Sequence, residues 1–199
     1  MEDRITEQDS AYDDLQRMSV HDILTGINRE DARVHEAVRR TIPVMELLVE
    51  RIVERMECGG RMFYIGAGTS GRLAVTDASE LPPTYGVPFD RVIGLIAGGD
   101  GALRRAVEHA EDDMEGAWRD MAPYAPTGKD VLIGIAASGT TPYVIGGLRT
   151  AREHGLLTAY AGFAMLPDTT ALETDTVPVA VTGDVPAAEA IPVKRVPSF

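Results

Sequence analysis

The chain of 199 residues holds a single cysteine, Cys58. No internal disulfide can form, and such usage fits a reducing compartment. A basic excess is also missing: 19 Lys and Arg stand against 31 Asp and Glu, a formal net charge of −12. With no basic stripe to offset that field, neither nucleic acid nor an anionic membrane is expected as a partner. No apolar run is long enough to span a bilayer, and the charged N-terminus lacks the apolar core of a secretory leader, so a cytoplasmic location is expected. HExxH, CxxC and EF-hand patterns are absent, and neither metal nor cofactor is expected. There is no low-complexity tract and no internal repeat. What remains is the composition of a globular protein, 44% hydrophobic and 25% charged, long enough for one domain with a sizeable core and a helical appendage.

The stretch around which the rest is organised is Arg61-Met62-Phe63-Tyr64-Ile65-Gly66-Ala67-Gly68-Thr69-Ser70-Gly71-Arg72. Residues 62–65 form a short apolar run suited to a buried strand, the glycines permit a tight turn, and a helix is expected over 71–79. Gly68, Thr69, Ser70, Gly71 and Arg72 then bring hydroxyls and a cation to unpaired N–H groups at the positive end of a helix dipole. That combination suits an anion, above all a phosphate. The same glycines match the GxGxxG dinucleotide fingerprint. That reading wants an acid at the end of the next strand, expected over 91–97, and the first acid there is Asp100, too late and after two glycines. A P-loop is excluded because Arg72 and Leu73 stand where Lys and Ser or Thr are required. An ordinary strand-to-helix turn with hydroxyl caps stays open.

A second stretch repeats the design. Asp130-Val131-Leu132-Ile133-Gly134-Ile135-Ala136 reads as another buried strand, followed by Ala137-Ser138-Gly139-Thr140-Thr141-Pro142-Tyr143. Pro142 falls in the first turn of the next helix, where its missing N–H costs nothing. Two strand–hydroxyl–helix units in one sheet, with Ser138, Gly139, Thr140 and Thr141 in the second, point to a sugar phosphate held between them.

Before these units, short helices are expected over 11–18 and 20–27, the second capped by Ser19 and ended by Asn28. A long amphipathic helix follows over 30–57, kinked or broken near Thr41 by Pro43. Gly59-Gly60 releases the chain into the first strand. Leu81-Pro82-Pro83 is expected to stop the helix of the first unit. An amphipathic helix with an acidic face is expected over 102–118, and further strands over 156–163 and 177–182. The alternation predicts an α/β fold, a doubly wound parallel sheet with helices on both faces, whose ligand lies beyond the carboxyl ends of the strands. Helical arm, sheet domain and irregular tail are expected over 1–58, 59–183 and 184–199. The apolar stripe of the arm favours a homodimer.

Gly66-Ala67-Gly68-Thr69-Ser70-Gly71-Arg72 and Asp77-Ala78-Ser79-Glu80-Leu81-Pro82-Pro83-Thr84-Tyr85-Gly86 resemble blocks of the N-acetylmuramic acid 6-phosphate etherase family. So do Gly94-Leu95-Ile96-Ala97-Gly98-Gly99, Ala106-Val107-Glu108-His109-Ala110-Glu111-Asp112 and the stretch from Gly134 to Ile145. The resemblance runs from about Ile5 to Leu157. It implies the sugar isomerase (SIS) fold, a flavodoxin-like three-layer sandwich. It also implies a homodimer in cell-wall recycling that cleaves the lactyl ether of its substrate without a metal. N-acetylglucosamine 6-phosphate and D-lactate would be the products. In the open-chain sugar the C1 aldehyde acidifies the C2 proton; a base removes it, lactate leaves C3 with help from an acid, and water adds back. The resemblance assigns the acid to Glu80 and the base to Glu111. Read alone, Glu80 is an exposed carboxylate at a helix end and Glu111 one member of a solvated acidic face.

Beyond Thr158 the resemblance stops. The family continues with a Thr-Gly-Ser-x-Arg-x-Lys-Ala-Gly-Thr block, whereas Tyr160-Ala161-Gly162-Phe163-Ala164-Met165 has no counterpart and Lys194-Arg195 does not reproduce it. A truncated, frame-disrupted or divergent chain with impaired turnover is expected. Other readings stay open: a phosphosugar-binding sensor without catalysis, a phosphosugar isomerase and, least favoured, a dinucleotide-dependent oxidoreductase.

Overall fold

A computed structural model describes residues 10, 12–162 and 176–180. The expected tail over 184–199 lies outside the described residues.

Ser19 opens the first helix, α1 (Val20–Glu57), its hydroxyl accepting from the Asp22 N–H at 3.1 Å. Two expectations are corrected here. The helices expected over 20–27 and 30–57 are one helix of 38 residues, unbroken at Asn28 and at Pro43. Tyr12 spans the first junction, its hydroxyl donating to Glu30 Oε1 at 2.9 Å and to the Gly26 carbonyl at 3.3 Å. At the second, proline removes one hydrogen bond from a helix held by many others. Before α1, the described part of 11–18 contains only a 3-10 turn, Leu15–Arg17, with no buried residue to anchor a longer helix.

The strands are β1 (Met62–Gly66), β2 (Val92–Ile96), β3 (Val131–Ile135), β4 (Leu157–Gly162) and β5 (Thr176–Ala180), all parallel, in the order β2-β1-β3-β4-β5. Alternate residues serve opposite faces, as a pleated strand demands. Phe63, Ile65, Leu132 and Tyr160 pack with Ala117, Met121, Val144 and Leu148, from α4 (Gly116–Met121) and α5 (Pro142–Glu153). On the other face Val131, Ile133, Leu157 and Ala159 meet Leu48, Val44 and Ile52 of α1. That face also takes α2 (Gly68–Tyr85), whose backbone lies so close to Gly94 that a Cβ there would sit 2.7 Å from the Ala74 carbonyl oxygen. The result is a three-layer, doubly wound sheet with a helical arm, as expected. No helix among the described residues is long and apolar enough to cross a membrane.

Two further corrections concern the helices around the site. The helix expected over 71–79 begins at Gly68 and runs through Pro82 and Pro83 to Tyr85. Both prolines stand in the last turns, so only two bonds are lost, and the Gly86 N–H closes the end on the Pro82 carbonyl at 2.9 Å. The helix expected over 102–118 is instead α3 (Gly101–Arg104), a 3-10 turn at Ala110–Asp112, and α4. The cause is Arg72. Its guanidinium takes the Ala102 and Leu103 carbonyls at 2.8 and 3.0 Å, acceptors that a continuing helix needs for the N–H groups of Ala106 and Val107. Arg105 turns extended and His109 adopts a left-handed conformation. Consequently Glu108, Glu111, Asp112, Asp113 and Glu115 do not share one helix face.

Candidate functional site

The strand order reverses between β1 and β3, and the register sets Gly66 opposite Ile135. Both hydroxyl loops therefore leave neighbouring strand ends on the carboxyl side, the place where open α/β sheets take ligands. In the first loop Gly66 and Gly71 close on each other: a Cβ on Gly71 would lie 2.6 Å from the Gly66 carbonyl oxygen. That closeness swings the start of α2 directly over the strand end. The first helical N–H to find a carbonyl is that of Gly71, on Ala67 at 3.2 Å. The N–H groups of Gly68, Thr69 and Ser70 have no acceptor within the helix, and they stand at its positive pole. Gly68 and Thr69 are exposed or partly so, Ser70 half-buried. Arg72 is drawn away from this cradle to hold α3, which spends two of its donors.

In the second loop Gly139 has φ 72°, and Ser138 and Thr140 fold onto each other. The Ser138 hydroxyl accepts from the Thr140 N–H at 3.2 Å and from its hydroxyl at 3.0 Å. Thr141 has the extended backbone of an N-cap but makes no side-chain cap bond. Ser138, Thr140 and Thr141 are half-buried.

At the same carboxyl end of the sheet lies a cavity of about 300 Å³, lined by Gly98, Gly99, Val107, Glu108, His109, Ala110, Asp113, Gly116, Arg119, Asp120 and Tyr143, with no residue of either hydroxyl loop in its wall. Its size is that of a small-ligand pocket. Two pairs of its members are locked: the buried Tyr143 donates to Asp120 Oδ2 at 2.8 Å, and Arg119 pairs with Asp113. Burial, and then the Asp120 carboxylate, push the Tyr143 hydroxyl above its ordinary range, so it remains a donor. The Arg119 hydrogen bond holds the Asp113 carboxyl below the usual carboxylate range.

The two carboxylates assigned to catalysis stand apart from this cavity. Glu111 is exposed in the 3-10 turn between the lining residues Ala110 and Asp113, and is not itself part of the wall. Glu80 is exposed on α2, twelve residues from Gly68, about 18 Å along the helix axis at 1.5 Å per residue. Sequence reasoning missed Asp120 and Tyr143 as a pair; nothing in their spacing signals it, since the contact exists only once α4 packs on α5. It also missed Glu108, which with Asp113 and Asp120 brings acids to the wall.

The family model of the glucokinase regulatory protein N-terminal SIS domain matches residues 44–152, more than half of the chain. The chain belongs to that family. The chain is 63% identical over 158 residues to an N-acetylmuramic acid 6-phosphate etherase of Porphyromonas gingivalis, covering 79% of this chain and 58% of the relative. A Bacteroides thetaiotaomicron protein of the same name is 61% identical over 155 residues, 78% of this chain and 56% of the relative. The chain thus spans little more than half the length of these curated relatives. Among solved structures, the chain superposes on a phosphoheptose isomerase from Francisella tularensis with TM-score 0.65 at 20% identity, over 84% of this chain and 88% of that one. A phosphoheptose isomerase from Neisseria gonorrhoeae gives TM-score 0.50 at 20% identity, over 79% and 86% of the two chains. Those likenesses establish the fold.

Proposed function

We propose that this SIS domain binds a phosphorylated amino sugar and belongs to an N-acetylmuramic acid 6-phosphate etherase, a cytoplasmic enzyme of cell-wall recycling. The observation that carries the reading is the pair of hydroxyl loops at adjacent carboxyl strand ends, the end of the sheet that also holds a sugar-sized cavity, together with the 63% identity to an etherase. The phosphate is assigned to the N–H groups of Gly68, Thr69 and Ser70 and to the hydroxyls of Ser70, Ser138, Thr140 and Thr141.

The proposed reaction balances without a cofactor. Glu111 takes the C2 proton, the C3–O bond breaks with its electron pair on the lactate oxygen, and Glu80 protonates that oxygen. Water then returns a hydroxyl to C3 and a proton to C2. A 6-phosphate bound at Gly68 leaves C3 of the same sugar far short of a carboxylate about 18 Å along α2. We therefore assign Glu80 to the site of a partner copy, in a homodimer. The arm supports this: Val20, Leu24, Ile27, Val34, Ile42, Val49 and Val53 form an exposed apolar series on α1, which a second copy would cover.

The test is to incubate the chain with N-acetylmuramic acid 6-phosphate in deuterium oxide and follow both lactate and exchange at C2. Glu80→Gln should stop lactate release while exchange persists; Glu111→Gln should stop both. Mixing Glu80→Gln chains with chains carrying Ser70→Ala and Ser138→Ala should restore lactate release, because each hybrid keeps one complete site. Exchange of normal rate in Glu111→Gln would remove that residue from the role of base. Binding without lactate release, both by the unaltered chain and by one extended with a family-type C-terminal segment, would leave a phosphosugar-binding module and sink the etherase reading.

A further inference from the structure

We infer that Tyr160 is a positioning residue for the second hydroxyl loop: its phenol holds the Ala136 carbonyl, two residues before Ser138, and so keeps Ser138, Thr140 and Thr141 in the shape that receives an anion. The inference rests on the phosphosugar reading of that loop. Tyr160 lies on β4, beside the end of β3, where Ala136 donates its N–H to the Ala161 carbonyl at 3.1 Å. Tyr160 is 1% exposed, and its hydroxyl donates to the Ala136 carbonyl. That bond fixes the point at which the chain leaves β3 for the loop. Gly162 keeps the space clear: a Cβ there would stand 2.1 Å from both the Ala136 carbonyl oxygen and the Tyr160 oxygen. Burial lifts the phenol to about 12, so it stays neutral and keeps its donor hydrogen throughout the working pH range.

A purely structural tyrosine would affect melting and nothing else. A positioning tyrosine changes how the loop greets a phosphate. Calorimetric titration with N-acetylglucosamine 6-phosphate and with N-acetylglucosamine separates the two roles. Tyr160→Phe should weaken the phosphorylated ligand by about tenfold, one hydrogen bond's worth, and leave the unphosphorylated one unchanged. Amide exchange provides a second reading: Tyr160→Phe should speed exchange of the Thr140 amide, which the Ser138 hydroxyl holds in the present loop shape, by at least about tenfold. Equal affinity in Tyr160→Phe, or unchanged exchange at Thr140, overturns the inference. If the unaltered chain binds neither sugar, the functional reading fails by itself. The tie to the loop then stands or falls on whether Tyr160→Phe speeds exchange at Thr140.

Discussion

At the amino ends of β1 and β3 nearly every polar atom has a partner, whereas at their carboxyl ends a helix begins with N–H groups that no helical carbonyl can reach. The amino end is clasped by Asp130, 1% exposed, which accepts from the Arg61 N–H at 2.7 Å, from the Arg61 guanidinium at 2.9 Å and from the Thr127 N–H at 2.7 Å. Arg61 then reaches the carbonyls of Tyr124 and Ala125 at 2.9 and 3.3 Å. The carboxyl end carries two glycine bends and a cavity walled by acids. Within one sheet, the first arrangement holds strands in register and the second leaves donors for a ligand. Stability and binding should accordingly respond to different residues.

The largest effect is expected from breaking the clasp. Asp130→Ala leaves Arg61 partly buried without its partner and should cost about 3–5 kcal/mol in denaturant unfolding. A loss below about 1 kcal/mol would show that the amino end is not where the sheet is held.

Acid should reach the same clasp without mutation. Burial alone would raise the Asp130 carboxyl, but the hydrogen bonds from Arg61 and Thr127 outweigh it and hold the group below its ordinary value. A depressed carboxylate contributes stability above its unfolded pKa of about 3.9, and that contribution is lost as pH falls through the lower native value. Melting temperature should therefore drop below about pH 4, and Asp130→Asn should flatten that part of the profile. An unchanged profile would mean that another carboxylate controls acid unfolding.

A smaller loss is expected where α5 meets the chain leading into α4. A Cβ on Gly146 would lie 1.8 Å from the Met114 carbonyl oxygen, so Gly146→Ala must shift backbone and should cost about 1–3 kcal/mol. Because Met114 precedes the cavity wall, ligand affinity should fall together with stability; a drop in stability alone would separate the two.

The smallest change in stability belongs to the ligand end. Ser70→Ala with Ser138→Ala should alter unfolding by no more than about 0.5 kcal/mol. Each lost hydroxyl should nevertheless cost binding of a 6-phosphosugar about 1.5–3 kcal/mol, with little effect on the unphosphorylated sugar. Equal losses for both sugars in calorimetry would move the phosphate elsewhere.

Legibility followed locality. Strands at 62–65 and 131–135 were readable because their apolar runs and glycine turns are complete within a few residues. The helix boundaries misread from sequence are those decided at a distance. Tyr12 carries α1 past Asn28, and Arg72 captures carbonyls thirty residues away and so breaks the helix expected over 102–118. The placement of the candidate acids was hidden for the same reason. Glu111 shares its segment with Glu108, and which of them reaches the cavity wall depends on how that segment turns once its helix is broken.

By itself the sequence determined the alternation of strands and helices, the two glycine–hydroxyl bends and the acidic, cysteine-poor character of the chain, because each rests on neighbouring residues or on composition. Only the tertiary structure decided that those bends lie side by side at the strand reversal. It also decided that Arg72 serves α3, that Tyr160 underpins the second loop, and that Glu80 stands about 18 Å along α2 from the first. Those facts come from parallel pairing and packing between segments far apart in the chain, and such contacts have no local periodicity from which they could be read.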